Sequence, residues 1–253
     1  MLIDTHCHLD AAEFDADRDA VQTAALAAGV GRIVVPGVAV DGFGKLKTVV
    51  ERYPACVAAY GIHPLYVDMA GANDLSVLRE WLLRERPVAI GEIGLDAYVA
   101  DSDPVLQEHY FVEQLKLARE FDLPVLLHVR RAVDSVLKQL RRFRVPGGIA
   151  HAFNGSRQQA DEFIKLGFKL GFGGAMTYAG STRIRELASC LPLESVVLET
   201  DAPDMSPVWL NRGRNAPAEL AAIAGVFAGL RGMSVAEISS ATSANARQAL
   251  PCL

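Results

Sequence analysis

Short β-branched or apolar runs alternate with longer amphipathic stretches along this chain, and the alternation repeats eight times. Strand candidates fall at 2–6, 32–35, 56–60, 88–91, 125–128, 148–152, 169–172 and 196–199. Helix candidates lie near 16–28, 42–53, 74–85, 104–121, 131–142, 156–165, 182–190 and 216–231. A last stretch, 234–250, reads as an extra C-terminal helix, with Ser234 as N-cap and Glu237 placed to complete a capping box. Such βα repetition predicts an α/β fold built on a parallel sheet. It leaves two architectures: a closed (β/α)8 TIM barrel, which needs about 250 residues, or an open doubly wound sheet.

The chemistry-bearing residues decide between them. Of six histidines, all but His109 sit where a strand candidate runs out, as do Glu92, Glu199 and Asp201. An open sheet binds ligand at one switch point, near two or three strand ends. Here the ligand-type residues come from strands 1, 4, 5, 6 and 8, and only closure brings five strand ends to one centre. The sequence therefore predicts a single barrel domain over 1–253, with its site at the C-terminal ends of the strands. A hydrophobic content of 51% is enough to bury a core of that size. The longest irregular segment, 202–217, reads as a loop over the site.

Imidazoles and carboxylates together are the donors a divalent metal takes. On a strand, i and i+2 face the same way, so His6 and His8 share a side while Cys7 points away. Glu92 follows the buried run VAIG and must be paired, protonated or metal-bound; its two oxygens suit it to bridge two ions. Asp201, at the end of VVLETD, is placed to bind one ion and to take a proton from water. Two ions about 3.5–4 Å apart would clamp the attacking and leaving oxygens of a displacement. Arg130 shares a face with His128 and either grips an anion bidentately or pairs with a site carboxylate. Arg212 and Arg214, in the long loop, are candidates for substrate contact. Glu199 should face inward beside Asp201 and either orient a ligand or a water or serve in simple structural pairing. Asn154-Gly155-Ser156 opens the helix after strand 6, where its N–H groups would hold a phosphate or Ser156 would serve as an ordinary N-cap, the preferred reading.

The pieces IDTHCHLD (3–10), GIHP (61–64), GEIGLD (91–96), HVRRA (128–132), HAFNGS (151–156), ETDAP (199–203) and RGRNAP (212–217) appear in one order across the chain. In these the chain resembles the TatD-type metal-dependent hydrolases, the TatD DNases, within the amidohydrolase-like barrels. Its DAPDM and TYAGSTR runs look more like the YjjV-type subgroup. The resemblance implies two divalent ions. His6, His8, Glu92 and Asp201 would hold one, and Glu92, His128 and His151 the other, with Asp201 as general base. It also points to His63 as a donor to a substrate phosphate or to developing charge. The identity of the metal stays open among zinc, manganese, magnesium and nickel.

The implied activity is phosphodiester hydrolysis of DNA, with single-stranded ends as substrate. The residues alone carry metal-assisted hydrolysis, so an ester or amide of a small metabolite or aminoacyl compound is the alternative. A net charge of -5 argues against a broad nucleic-acid-coating surface but leaves room for a local phosphate grip. Tyr98, Tyr178 and Trp209 are the aromatics near strand ends that single-stranded DNA would use. Four scattered cysteines without a CxxC pair fit a reducing compartment. Leu2 already begins a strand pattern, and no apolar run approaches the roughly 20 residues of a membrane span, so a cytoplasmic monomer without a stable protein partner is expected.

Overall fold

A computed structural model describes residues 1–253 and shows one eight-stranded parallel sheet in the order β1 to β8. The strands are β1 (Leu2–Asp4), β2 (Val30–Pro36), β3 (Cys56–Tyr60), β4 (Ala89–Asp96), β5 (Val125–Arg130), β6 (Gly148–Ala150), β7 (Phe168–Phe172) and β8 (Val196–Leu198). Helices α1 (Arg18–Ala27), α2 (Phe43–Arg52), α3 (Asp74–Glu85), α4 (Pro104–Glu120), α5 (Val133–Arg142), α6 (Arg157–Lys165), α7 (Thr182–Cys190) and α8 (Leu220–Arg231) follow the strands in turn, and α9 (Val235–Ala249) is the extra helix. The ring closes beyond the ends of β1 and β8. Thr5 N–H donates to the Leu198 carbonyl at 3.2 Å, Asp201 N–H to that of His6 at 2.8 Å, and His8 N–H to that of Ala202 at 2.8 Å. This is the closed TIM barrel expected from the residues at the five strand ends.

Apolar runs covered on both faces make the strands. All eight residues of β4 are buried, and Val34, Ala59, Ala89, Leu126, Ile149 and Val197 meet Ile3 in one cluster drawn from seven strands. Ala246, Ala249 and Leu250 join that cluster, so the end of α9 packs onto the same core. Ser234 caps α9 with the expected box, and Ser156 caps α6 with a second one completed by Gln159. No single helix is long and apolar enough to cross a membrane.

The strand limits differ from the sequence reading in ways that matter for the site. β1 stops at Asp4, and His6 to His8 continue as extended chain held by a bridge from Cys7 to Ala202. β4 runs on to Asp96, so Glu92 sits inside the strand and not at its end. Gly94 lets the strand continue there. Its φ is +151°, and a Cβ would stand 2.0 Å from the His128 carbonyl oxygen. Glycine and charged residues look like strand breakers, which is why the sequence pattern ended β4 early.

The 202–217 loop is tied down from below. Asn215 is fully buried, and its amide donates to the carbonyls of Thr200 at 2.8 Å and Asp204 at 2.9 Å. Asn215→Leu strands those carbonyls without donors, at about 1–3 kcal/mol. We expect urea unfolding to show that loss as a lower midpoint with an unchanged slope.

Candidate metal centre

The Glu92 carboxylate is 2% exposed and no lysine or arginine reaches it. Its neighbours are imidazoles, and they divide between its two oxygens. Oε2 faces Nε2 of His6 at 3.0 Å and Nε2 of His8 at 3.5 Å. Oε1 faces Nδ1 of His128 at 2.8 Å, Nε2 of His151 at 2.8 Å and Nε2 of His63 at 3.5 Å. On the first side Asp201 adds Oδ1, 3.7 Å from Nε2 of both His6 and His8. The candidate ligand atoms form three overlapping groups, each within 4.8 Å: His6, Glu92 and His151; His6, His8 and Asp201; and His63, Glu92 and His128.

These residues fit a divalent metal. Donors bound tetrahedrally at about 2.0–2.2 Å lie about 3.3 Å from one another, the spacing seen here. A buried carboxylate ringed by imidazoles, with no lysine or arginine, is the mixed nitrogen and oxygen donor set such an ion takes. Burial pushes Glu92 up, but His151, His6 and His63 outweigh it and hold the carboxyl well below its usual range. Burial and the adjacent His151 push His6 down to about 3, leaving the neutral ring a metal requires. Burial lowers His8 and His151 too, yet contact with Glu92 outweighs it and lifts them to about 9 and about 10. A metal must therefore displace protons at those two rings.

The surrounding groups aim the imidazoles. Asp96 Oδ2 meets Nε2 of His128 at 2.9 Å, which turns Nδ1 towards Glu92. Burial pushes Asp96 up, but His128 and the Tyr98 N–H hold it at about 2. Asp96 lies within GEIGLD, yet the sequence reading gave it no role. Only the pairing of Asp96 with Arg130 in register across β4 and β5 places it beside His128. We expect Asp96→Asn to weaken metal binding by about 10–100-fold, read by chelator competition.

His63 is oriented differently. Leu65 N–H donates to its Nδ1 at 3.1 Å, and burial pushes its pKa down. The neutral ring then carries its proton on Nε2, 3.1 Å from Nδ1 of His128. His63 thus presents an N–H to the centre and not a lone pair.

Glu199 packs beside His151, with Oε1 3.9 Å from Nδ1, and burial pushes its carboxyl up to about 8. Nδ1 of both His6 and His151 is buried without a hydrogen-bond partner. Asp4 lies deeper and clamps the turn before Asp201, accepting from Thr200 N–H at 2.9 Å and the Thr200 hydroxyl at 2.6 Å. Glu199 and Asp201 line a cavity of about 90 Å³ together with Phe153, Phe172, Ile184 and Met205. An open groove of about 320 Å³ begins beyond Ala175 and Met205 and reaches Tyr178 and Arg212.

The arginines named from the sequence separate. Arg130 lies at the rim, half-exposed, 3.9 Å from Asp96 Oδ2. Arg212 borders the open groove. Arg214 is turned away: it donates to both Asp17 oxygens, at 2.9 and 2.6 Å, and to the Glu13 carbonyl. It pins the 202–217 loop to the chain before α1, a structural use that the sequence did not reveal because the partners are about 200 residues apart. Trp209 Nε1–H is likewise engaged, by Glu219 at 2.6 Å.

A parallel barrel with a buried histidine–carboxylate cluster at the ends of its strands defines the class of metal-dependent hydrolases built on (β/α)8 barrels. Comparison with known proteins narrows this. The sequence model described as TatD related DNase matches residues 3–251, and the chain belongs to that family. It is 40% identical over 242 residues to the metal-dependent hydrolase YjjV of Escherichia coli (strain K12), covering 94% of this chain and 93% of that one. It is 36% identical over 255 residues to the 3'-5' ssDNA/RNA exonuclease TatD of Cronobacter sakazakii, covering 97% and 96%. The crystal structure of the E. coli YjjV protein superposes with a TM-score of 0.96 at 38% identity, over 100% of this chain and 98% of that one. A TatD family protein from Entamoeba histolytica, at 20% identity and a TM-score of 0.87, shares the fold.

Proposed function

We propose that the chain is a two-metal phosphodiesterase acting on single-stranded DNA ends. The observation that carries this reading is the division of Glu92, with one oxygen among His6, His8 and Asp201 and the other among His128 and His151. Two divalent ions held on either side of that carboxylate would lower the pKa of a water and offset the charge of a phosphoryl transition state. The chain's own groups do the rest. Asp201, whose Oδ1 lies 3.7 Å from Nε2 of both His6 and His8, takes the proton of the attacking water. His63 Nε2–H donates to a phosphoryl oxygen as charge develops. Glu199 accepts the Ala152 N–H and so fixes the turn after His151, and Arg130 and Arg212 meet the flanking phosphates from two sides of the mouth. Similarity to a 3'-5' ssDNA/RNA exonuclease supports the same substrate class.

One observation favours a different bond. The cavity beside Asp201 is small and mostly apolar, with Phe153, Phe172, Ile184 and Met205 in its wall. It suits a small apolar substituent better than a base, as in an ester or amide of a metabolite or an aminoacyl compound. The test is hydrolysis of end-labelled single-stranded DNA by metal-stripped protein, with magnesium, manganese or zinc restored, beside aminoacyl and small carboxylic esters. Stepwise shortening that requires metal supports the nuclease. Ester cleavage without DNA cleavage moves the assignment to the carbonyl substrate.

A further inference from the structure

Above His128 the rim carries a cluster of which the hydrolytic reading uses only Arg130, leaving Tyr98 and Arg131 without a role. On extended backbone, Arg130 and Arg131 would point to opposite sides. Arg131 instead takes φ 54°, a left-handed conformation, and the two guanidinium groups converge on one ring. Their Cζ atoms lie 3.8 and 4.5 Å from the centroid of Tyr98. Tyr98 is itself fixed, because its N–H donates at 2.8 Å to Asp96, the carboxylate that aims His128. The cluster is thus rigidly mounted next to the metal-ligand candidates, yet Tyr98 stays 49% exposed. Arg130 has one distant ion pair within the chain, 3.9 Å to Asp96, and Arg131 has none, so the N–H edges of both are free. Two like charges sharing one ring repel each other, and an anion between them relieves that repulsion.

We propose that Tyr98, Arg130 and Arg131 form a subsite for the nucleotide next to the scissile bond. Its base stacks on the tyrosine–guanidinium cluster and its phosphate takes the free N–H edges. Single-stranded binders combine these two elements, an aromatic or guanidinium surface for a base and cations for the backbone. The class of ligand rests on the nuclease reading above; the existence of the subsite rests on the geometry.

The test is equilibrium binding of a fluorescein-labelled phosphorothioate oligothymidylate to the metal-loaded protein, followed by anisotropy across a salt series. Tyr98→Leu is expected to raise Kd about tenfold and leave the salt slope as it is. Arg131→Gln is expected to lower the slope of log K against log salt by about 0.7, the loss of one phosphate contact on a single strand. A merely structural role would not move the slope by that amount. Parent-like binding by both variants overturns the subsite. So does weaker binding that tracks a loss of metal, which would make the cluster a support for His128. Parent protein that fails to bind the oligonucleotide overturns both the subsite and the nuclease reading. Binding through these residues without cleavage keeps the subsite and removes the nuclease. Cleavage with no effect of either substitution does the reverse.

Discussion

Glu92→Ala is expected to leave the protein folded but unable to hold its metal, with bound ions falling from about two per chain to well below one by elemental analysis. Hydrolysis should fall at least about 10³-fold, the upper end for removing one group that stabilises transition-state charge. The reason lies in what remains. His6, His8, His63, His128 and His151 all point into one buried space, and Glu92 is the anion they share. Without it, two cations would face five neutral rings and the Asp201 carboxylate alone. His8 and His151 would also lose the contact that lifts their pKa values, and burial would then push them down. Fewer protons would compete for those rings, yet the bridge would be gone. Glu92→Gln separates the two effects, since it keeps the shape and one oxygen donor while removing the charge. Full two-ion occupancy in Glu92→Ala would refute the bridging role. Loss of only one ion would show that one side of the carboxylate is dispensable.

The barrel was legible from the sequence because its period is local: each βα unit announces itself within about 30 residues. The candidate ligands were legible for a related reason. His6 and His8 follow the i, i+2 rule, and Glu92, His128, His151 and Asp201 each follow a buried apolar run. What the sequence hid is contact between distant elements. Nothing in RGRNAP distinguishes Arg212, which borders a groove, from Arg214, which is spent on Asp17. Asp96 looks like a loop residue until β4 is seen to run past two glycines and align it with Arg130. Of the two alternatives for Arg130, the carboxylate pairing is present as a distant contact of 3.9 Å with Asp96, and its guanidinium also lies 3.8 Å from the Tyr98 ring centroid. The His63 N–H depends on the Leu65 amide, and no spacing rule foretells which ring nitrogen that amide occupies.

Asp201→Asn should separate base catalysis from metal binding. Asp201 lies towards the outside of the cluster, its side chain 15% exposed against 2% for Glu92, and it borders the cavity. Its backbone is held independently of its carboxylate: φ is 55°, which aspartate tolerates, and its N–H donates to the His6 carbonyl at 2.8 Å. Asparagine at this position keeps that geometry and one oxygen ligand. His6, His8 and Glu92 remain to hold the ion, so metal content should stay near the parent value. The variant loses the ability to accept a proton, and the rate should fall by about 10²–10⁴-fold. The sign of the pH effect follows from the same step. A base works only when deprotonated, so parent activity rises with pH through the Asp201 titration. In the metal-free chain burial raises that pKa, and bound cations beside the carboxylate pull it back down, so the limb shifts to lower pH as metal is loaded. In Asp201→Asn that limb of the kcat/KM profile should vanish while metal remains. Parent-like activity would remove Asp201 from the base role. Parallel loss of metal and rate would make it a ligand first, and the proton would then have to leave through another group at the cavity, of which Glu199, already lifted to about 8, is the nearest in kind.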